Sequence, residues 1–228
     1  MNSRRFFIVI GTVAAVAIAG LGFAQQSILN NSARPEAERA RDAGSKPLEV
    51  YAFFGVEAGM TVVDLMPSAG YNTYILAPLV GSSGKVYSGT NRGEALAERL
   101  ATNPLPNVQL IAGYEEIPAN SVDVMITIRN MHHVVGGARE APTLAAFLAA
   151  LKPGGIFGVV DARTTMDGYD SNTHRINQQM VIDAVVAAGF EFVESSEILG
   201  NPDDDISQSS GERYEIDRLT LKFRKPGM

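Results

Sequence analysis

Met60-Thr-Val-Val-Asp-Leu-Met-Pro-Ser-Ala-Gly-Tyr-Asn-Thr-Tyr-Ile-Leu-Ala-Pro-Leu-Val-Gly81 is the stretch whose reading decides the fold. Residues 62–66 are apolar apart from Asp64. So short an apolar run suits a strand buried on both faces, as in a parallel sheet. Pro67-Ser68-Ala69-Gly70 then breaks the strand. Asn72 can cap a helix in which Tyr74, Ile75, Pro78 and Leu79 recur at helical spacing. Strand, turn and helix with an acid near the strand's end open a nucleotide-type α/β domain. A ligand there sits over the turn, at the carboxyl end of the strand. An ordinary βα turn with no ligand reads the same way on this segment alone.

Further strands are predicted over 85–90, 108–112, 121–128, 156–161, 190–195 and 218–223. Helices are predicted over 36–43, 47–54, 93–101, 142–151 and 176–188, with Lys152-Pro-Gly-Gly155 closing the fourth. This alternation implies an α/β fold: a Rossmann-like, doubly wound, mostly parallel seven-stranded sheet. No helix separates the last two strands, so one antiparallel strand is expected near the C-terminus. Asn201 to Arg213, rich in Asp, Ser and Gly, reads as a solvated surface loop.

The first residues read differently. Arg4 and Arg5 precede 19 residues without a charge, 6–24, ending in Gly22-Phe23-Ala24. A basic start, an apolar run and a small-x-small site describe a cleaved signal over 1–24; Ser3-Arg-Arg-Phe-Phe-Ile8 resembles the twin-arginine type, and a general secretory signal that carries two arginines is the alternative. An uncleaved inner-membrane anchor over 6–24 is the alternative. Residues 25–35 form a flexible leader and 36–228 a single domain. The expected location is the periplasm, reached through the export machinery. Removing 1–24 takes away two arginines and no acid, so the formal charge moves from −6 to −8. An acidic domain without a basic patch excludes nucleic acid as a substrate. The chain has no cysteine, so disulfides and thiolate metal sites are excluded.

The ordered segments Lys46 to Met60, Val62-Val-Asp-Leu65, Gly70-Tyr-Asn-Thr73, Ile128-Arg-Asn-Met-His-His-Val134, Leu151-Lys-Pro-Gly-Gly155 and Leu221 to Pro226 carry a resemblance. Over roughly residues 36–226 the chain resembles class I S-adenosylmethionine-dependent methyltransferases, and more narrowly a family of exported bacterial ones. The resemblance implies S-adenosylmethionine as cofactor and a small-molecule methyl acceptor. It puts Met66, Ser68 and Gly70 where the family is Gly-rich, so one Gly of three survives. It puts Thr90 or Asn91 where many members have an acid for the ribose diol. Asp64 and Tyr71 are further candidate cofactor contacts, as are Arg129 and Asn130 beyond the fourth strand. His132 and His133 stand there too, and the histidine is read as a general base, His133 for preference. His174, Arg175 and Asp161 are expected along the same crevice, with a metal bound by imidazole and carboxylate as a rival use of the histidines. No metal is expected. Because the cofactor is made in the cytoplasm, an exported chain also admits another reading: a non-catalytic ligand-binding domain on the same scaffold.

Overall fold

The computed structural model describes residues 26–89, 94–211 and 214–227. The expected signal segment, Thr90 and Asn91 lie outside these. Among the described residues no helix is long and apolar enough to cross a membrane.

The short helices α1 (Glu36–Ala40), α2 (Asp42–Ser45) and α3 (Pro47–Phe54) precede β1 (Thr61–Leu65). Then come α4 (Thr73–Val80), β2 (Lys85–Gly89), α5 (Glu94–Thr102) and β3 (Val108–Ile111). β4 (Val122–Ile128), α6 (Glu140–Ala150) and β5 (Leu151–Thr164) follow. The chain ends with β6 (Tyr169–Asp170), β7 (Arg175–Asn177), α7 (Gln178–Ala187), β8 (Glu191–Ser195) and β9 (Arg218–Arg224). β3, β2, β1, β4 and β5 lie side by side in that order, all parallel. β9 runs antiparallel to β5, and β8 pairs with β9. The Rossmann-like, doubly wound sheet is therefore present, with an antiparallel strand near the C-terminus. The strand order reverses between β1 and β4, which opens a crevice at their carboxyl ends.

Among the described residues the sheet has nine strands rather than the expected seven. β5 continues past Asp161, and β7 takes its edge in parallel register, Arg163 opposite Ile176. β6 closes that edge as an antiparallel hairpin. Arg175 and Ile176 therefore belong to a strand, and the helix expected from 176 begins two residues later. Asn177 is its cap, accepting from the N–H of Gln179 at 2.8 Å and of Met180 at 3.2 Å. Lys152-Pro-Gly-Gly155 opens β5, with a register shift against β4, instead of merely closing the helix. Asn72 does not cap α4: its own backbone is helical and its side chain makes no cap bond. It accepts instead from Tyr51 Oη at 2.9 Å.

Apolar clusters fill both faces of the sheet, which is why β1 and β4 are apolar at successive positions. On one face Phe54 packs directly on β5, where a Cβ at Gly158 would lie 2.6 Å from its ring. On this side the N-terminal segment is tied across the turn after β1. Buried Arg34 donates to both oxygens of Asp42, at 2.8 and 2.6 Å, and Asp42 also accepts from Tyr71 Oη at 2.6 Å. Arg99 of α5 donates to Glu38 at 2.6 Å and to the Ala69 carbonyl at 3.0 Å. The described part of the Asn201 to Arg213 segment, residues 201–211, is not simply a solvated loop. Asp204 and Arg175 have fully buried side chains, with Oδ2 and Nη2 2.8 Å apart. That Nη2 is too poorly aligned for a hydrogen bond, so charge holds the pair.

Candidate functional site

The turn after β1 has a left-handed backbone at alternate residues: Met66 at φ 54°, Ser68 at 53° and Gly70 at 89°. Two of the three are not glycine, and each such residue is strained by about 1–2 kcal/mol. At Gly70 a side chain is excluded twice over, since its Cβ would meet Leu96 Cδ1 at 2.5 Å. Asp64, fully buried, anchors this turn rather than lining a cleft. It accepts from Thr73 Oγ1 at 2.7 Å and from Asn72 Nδ2 at 3.5 Å. Thr73 Oγ1 is also 2.7 Å from Ser88 Oγ on β2. Burial pushes the Asp64 carboxyl up to about 6, against the opposing pull of Thr73 and Asn72.

Over the ends of β1 and β4 lies a cleft of about 350 Å³. Ser68, Tyr71, Arg129, Asn130 and His132 all line it, so five of the expected site residues converge there. Arg129 and His174 on its wall are left-handed too, at φ 62° and 53°. Such strain clusters at ligand sites because the surrounding structure must over-determine it. A second cavity of about 680 Å³ is lined by Gly113, Glu115 and His133 among others. Met66 is the one described residue that lines both.

The histidine facing the cleft is His132; His133 lies on the wall of the second cavity. Of the two histidines, His132 is the one that lines the cleft with the other expected residues. Parallel pairing of β4 with β5 sets Ile128 beside Val160, so Asp161 stands next to the residues leaving β4. The Nδ1 of His132 is 3.0 Å from both oxygens of buried Asp161, and its backbone N–H donates to the same carboxylate at 2.9 Å. An ionised carboxylate only accepts, so Nδ1 carries a proton, and in the neutral ring the lone pair is then on Nε2. Tyr169 stacks on the imidazole, with centroids 5.3 Å apart and planes within 13°. Its hydroxyl lies 3.0 Å from Nδ1 of His174. Among the described residues no group of three or more acidic or histidine side chains is arranged to hold a metal.

Asn130 spends its amide on the carbonyls of Ile128, at 2.8 Å, and Met66, at 3.4 Å, tying the end of β4 to the turn. Tyr71 forms a wall: its hydroxyl is bound by Asp42 and its ring lies 3.7 Å from the Arg41 guanidinium. Burial pushes that hydroxyl well above the usual phenol range. Arg129 donates to the Gly211 carbonyl, and burial lowers its guanidinium pKa. Tyr169, Arg41 and Tyr214 were not anticipated. The available signal was a Tyr five residues before His174; the two others come from segments that only the folded chain brings to the cleft.

No protein-family model matches this chain, and no curated protein matches its sequence. Solved structures do share its fold. It is 20% identical to a SAM-dependent methyltransferase from Aquifex aeolicus, covering 81% of this chain and 92% of that one with a TM-score of 0.64. It is 17% identical to the N-methyltransferase NodS from Bradyrhizobium japonicum, covering 82% and 96%, with a TM-score of 0.58. The [4+2]-cyclase SpnF is also 17% identical, covering 87% and 85%, with a TM-score of 0.61. The chain has the class I methyltransferase fold.

Two outcomes are expected of the turn. Ser68→Gly relieves a left-handed residue at an exposed position and should stabilise the protein by about 1 kcal/mol in urea unfolding; a loss of stability would contradict the strain. Asp64 has a raised carboxyl pKa in the folded state, so the stability it lends is whole below about pH 4 and is lost as pH rises through about 6. Relative to Asp64→Asn, the wild type should lose on the order of 3 kcal/mol between pH 4 and 7. Parallel pH profiles would count against this assignment.

Proposed function

We propose that the protein transfers the methyl group of S-adenosylmethionine to a small-molecule nucleophile, with His132 as general base. The observation that carries this is the His132–Asp161 pair facing the cleft beside a turn held in a glycine-type backbone. The residues present fit the cofactor. The left-handed turn permits close backbone approach although two of its glycines are gone, and the two cavities that meet at Met66 offer room for an amino-acid end and a nucleobase end. Met66, Ser68 and Tyr71 would hold the former, Gly113 and Glu115 the latter. When bound, the cofactor supplies a methyl group activated by a sulfonium.

The chain's own task is alignment and proton removal. A nucleophilic O–H or N–H placed on His132 Nε2 gives up its proton there as it attacks. Asp161 keeps the ring in the base-ready tautomer and stabilises the imidazolium that results. Tyr169, stacked on the ring, fixes its plane. A second reading keeps the cleft without methyl transfer. The fold shared with a [4+2]-cyclase favours it, because the scaffold carries other chemistry there. Export through the Arg4-Arg5 segment belongs to the same proposal, supported by the residues of 1–24 alone.

Calorimetry of the full chain with S-adenosylmethionine tests the first reading, and no heat of binding up to millimolar concentration would end it. His132→Ala should lower methyl transfer roughly 10²–10⁴-fold with little change in cofactor affinity, whereas His133→Ala should leave most of the rate. Acceptors can be found by product release from a panel of small molecules. For export, the processed protein from cells should begin near Gln25 on N-terminal sequencing; a mature chain starting at Met1 would argue for retention.

A further inference from the structure

The β6–β7 hairpin brings a second imidazole to the cleft. His174 lines it together with His132, and the two ring centroids lie 6.0 Å apart. His174 keeps a left-handed backbone without being glycine. The hairpin is braced from two sides to hold it there. Asp170 accepts from the N–H of Asn172 at 2.9 Å and from Thr173 Oγ1 at 2.7 Å. Ser210, from a distant segment, donates its N–H to the Thr173 carbonyl at 2.8 Å and its hydroxyl to the His174 carbonyl at 3.1 Å. A strained residue restrained in this way and turned to a cleft is the arrangement found at ligand sites. Each ring has one nitrogen engaged inside the protein, and the two partners differ in kind. His132 Nδ1 faces the Asp161 carboxylate, so its neutral ring offers the lone pair of Nε2. His174 Nδ1 lies 3.0 Å from Tyr169 Oη. Among the described residues that phenol has no other hydrogen-bond partner, and by donating to the ring nitrogen it leaves the proton of His174 on Nε2. One tyrosine thus sets both rings: its face fixes the plane of His132, its hydroxyl the tautomer of His174.

The cleft is therefore met by one imidazole that accepts and one that donates. We infer that His174 is a second catalytic residue, whose Nε2–H bonds a carbonyl oxygen of the methyl acceptor while His132 takes the acceptor's proton, and that the acceptor is an enolisable carbonyl compound of the β-dicarbonyl type. A base alone serves an isolated alcohol or amine. A donor beside it adds stabilisation where the negative charge left behind spreads to a second oxygen, as it does in an enolate. The enol O–H or the keto form's C–H bond breaks, and its proton passes to His132 Nε2. The electron pair delocalises onto the oxygen that accepts from His174, which keeps its own proton throughout. That pair then forms the bond to the methyl carbon, the C–S electron pair stays on sulfur, and His132 returns its proton to water. The inference deepens the methyl-transfer reading and rests on it for this last bond; the enolate site itself does not need the cofactor.

The test reads protons rather than turnover. The chain has three histidines, so the full chain labelled with ¹⁵N-histidine gives three ring systems, assigned by replacing each in turn with Gln. Long-range ¹H–¹⁵N spectra, recorded where the rings are neutral, should show His132 protonated at Nδ1 and His174 at Nε2. Tyr169→Phe keeps the stacked ring and removes the hydroxyl. It should release the Nε2 tautomer of His174 and leave His132 at Nδ1. Acetylacetone is the probe ligand. It should shift the Nε2 resonances of both rings, its ultraviolet spectrum should move toward that of the enolate, and His174→Phe should weaken its binding roughly tenfold or more. Circular dichroism of the variants checks that they fold. A His174 protonated at Nδ1, or one whose Nε2 resonance acetylacetone leaves in place, overturns the inference, and binding of S-adenosylmethionine by the same protein would leave methyl transfer standing. Acetylacetone bound as the enolate between these tautomers, in a protein that gives no heat with S-adenosylmethionine, supports the enolate site and ends the methyl-transfer reading.

Discussion

The turn that leaves β1 with a left-handed backbone at Met66, Ser68 and Gly70 is the constraint on which the cleft depends. An L-residue does not rest in that conformation unaided. Here it is held from several sides. Asp64 and Thr73 bind one another across the turn, Gly70 closes onto Leu96, and Arg99 grips the Ala69 carbonyl. The N-terminal segment adds the last restraint, through Asp42 on Tyr71 and Glu38 on Arg99. The turn thus keeps a left-handed backbone at two residues that are not glycine, because tertiary contacts supply what a glycine's conformational freedom would otherwise supply.

Charge is handled in two ways in this molecule. Arg34 with Asp42 and Arg175 with Asp204 are buried pairs in which a cation meets an acid, and the His132 ring meets buried Asp161. The first pair lies within the N-terminal strap; the other two join the 201–211 segment to β7 and the residues leaving β4 to β5. Among the described residues Arg41 and Arg218 make no pair with a carboxylate; Arg41 lines the cleft, and both line the small pocket behind it. Desolvating a guanidinium beside other guanidiniums is tolerated where aromatic faces and carbonyl oxygens offset part of the penalty, as Tyr71 and Tyr214 do here.

Much of the sheet was legible in the chain. The apolar runs of β1, β4 and β5 are short and continuous, as strands covered on both faces must be, and the helix after the turn follows its apolar spacing. The hairpin of β6 and β7 was not legible. Its strands are two and three residues long, and they exist only because β5 overruns its neighbours and leaves an edge to pair. The buried role of Asp204 was hidden for a similar reason: a run of three aspartates looks solvated until Arg175 is brought against it. Asn72, a natural cap by residue type, was diverted by Tyr51 and Asp64 from other elements.

The sequence alone determined the sheet's apolar strands, the turn at Pro67 to Gly70, and the presence of two histidines beyond β4, since these follow from local pattern and composition. Only the tertiary structure decided which histidine serves the cleft. That choice depends on the register of β4 against β5, which sets Asp161 beside His132, and register is a property of paired strands rather than of either one. It likewise decided that Arg41 and Tyr214, 173 positions apart, share one wall.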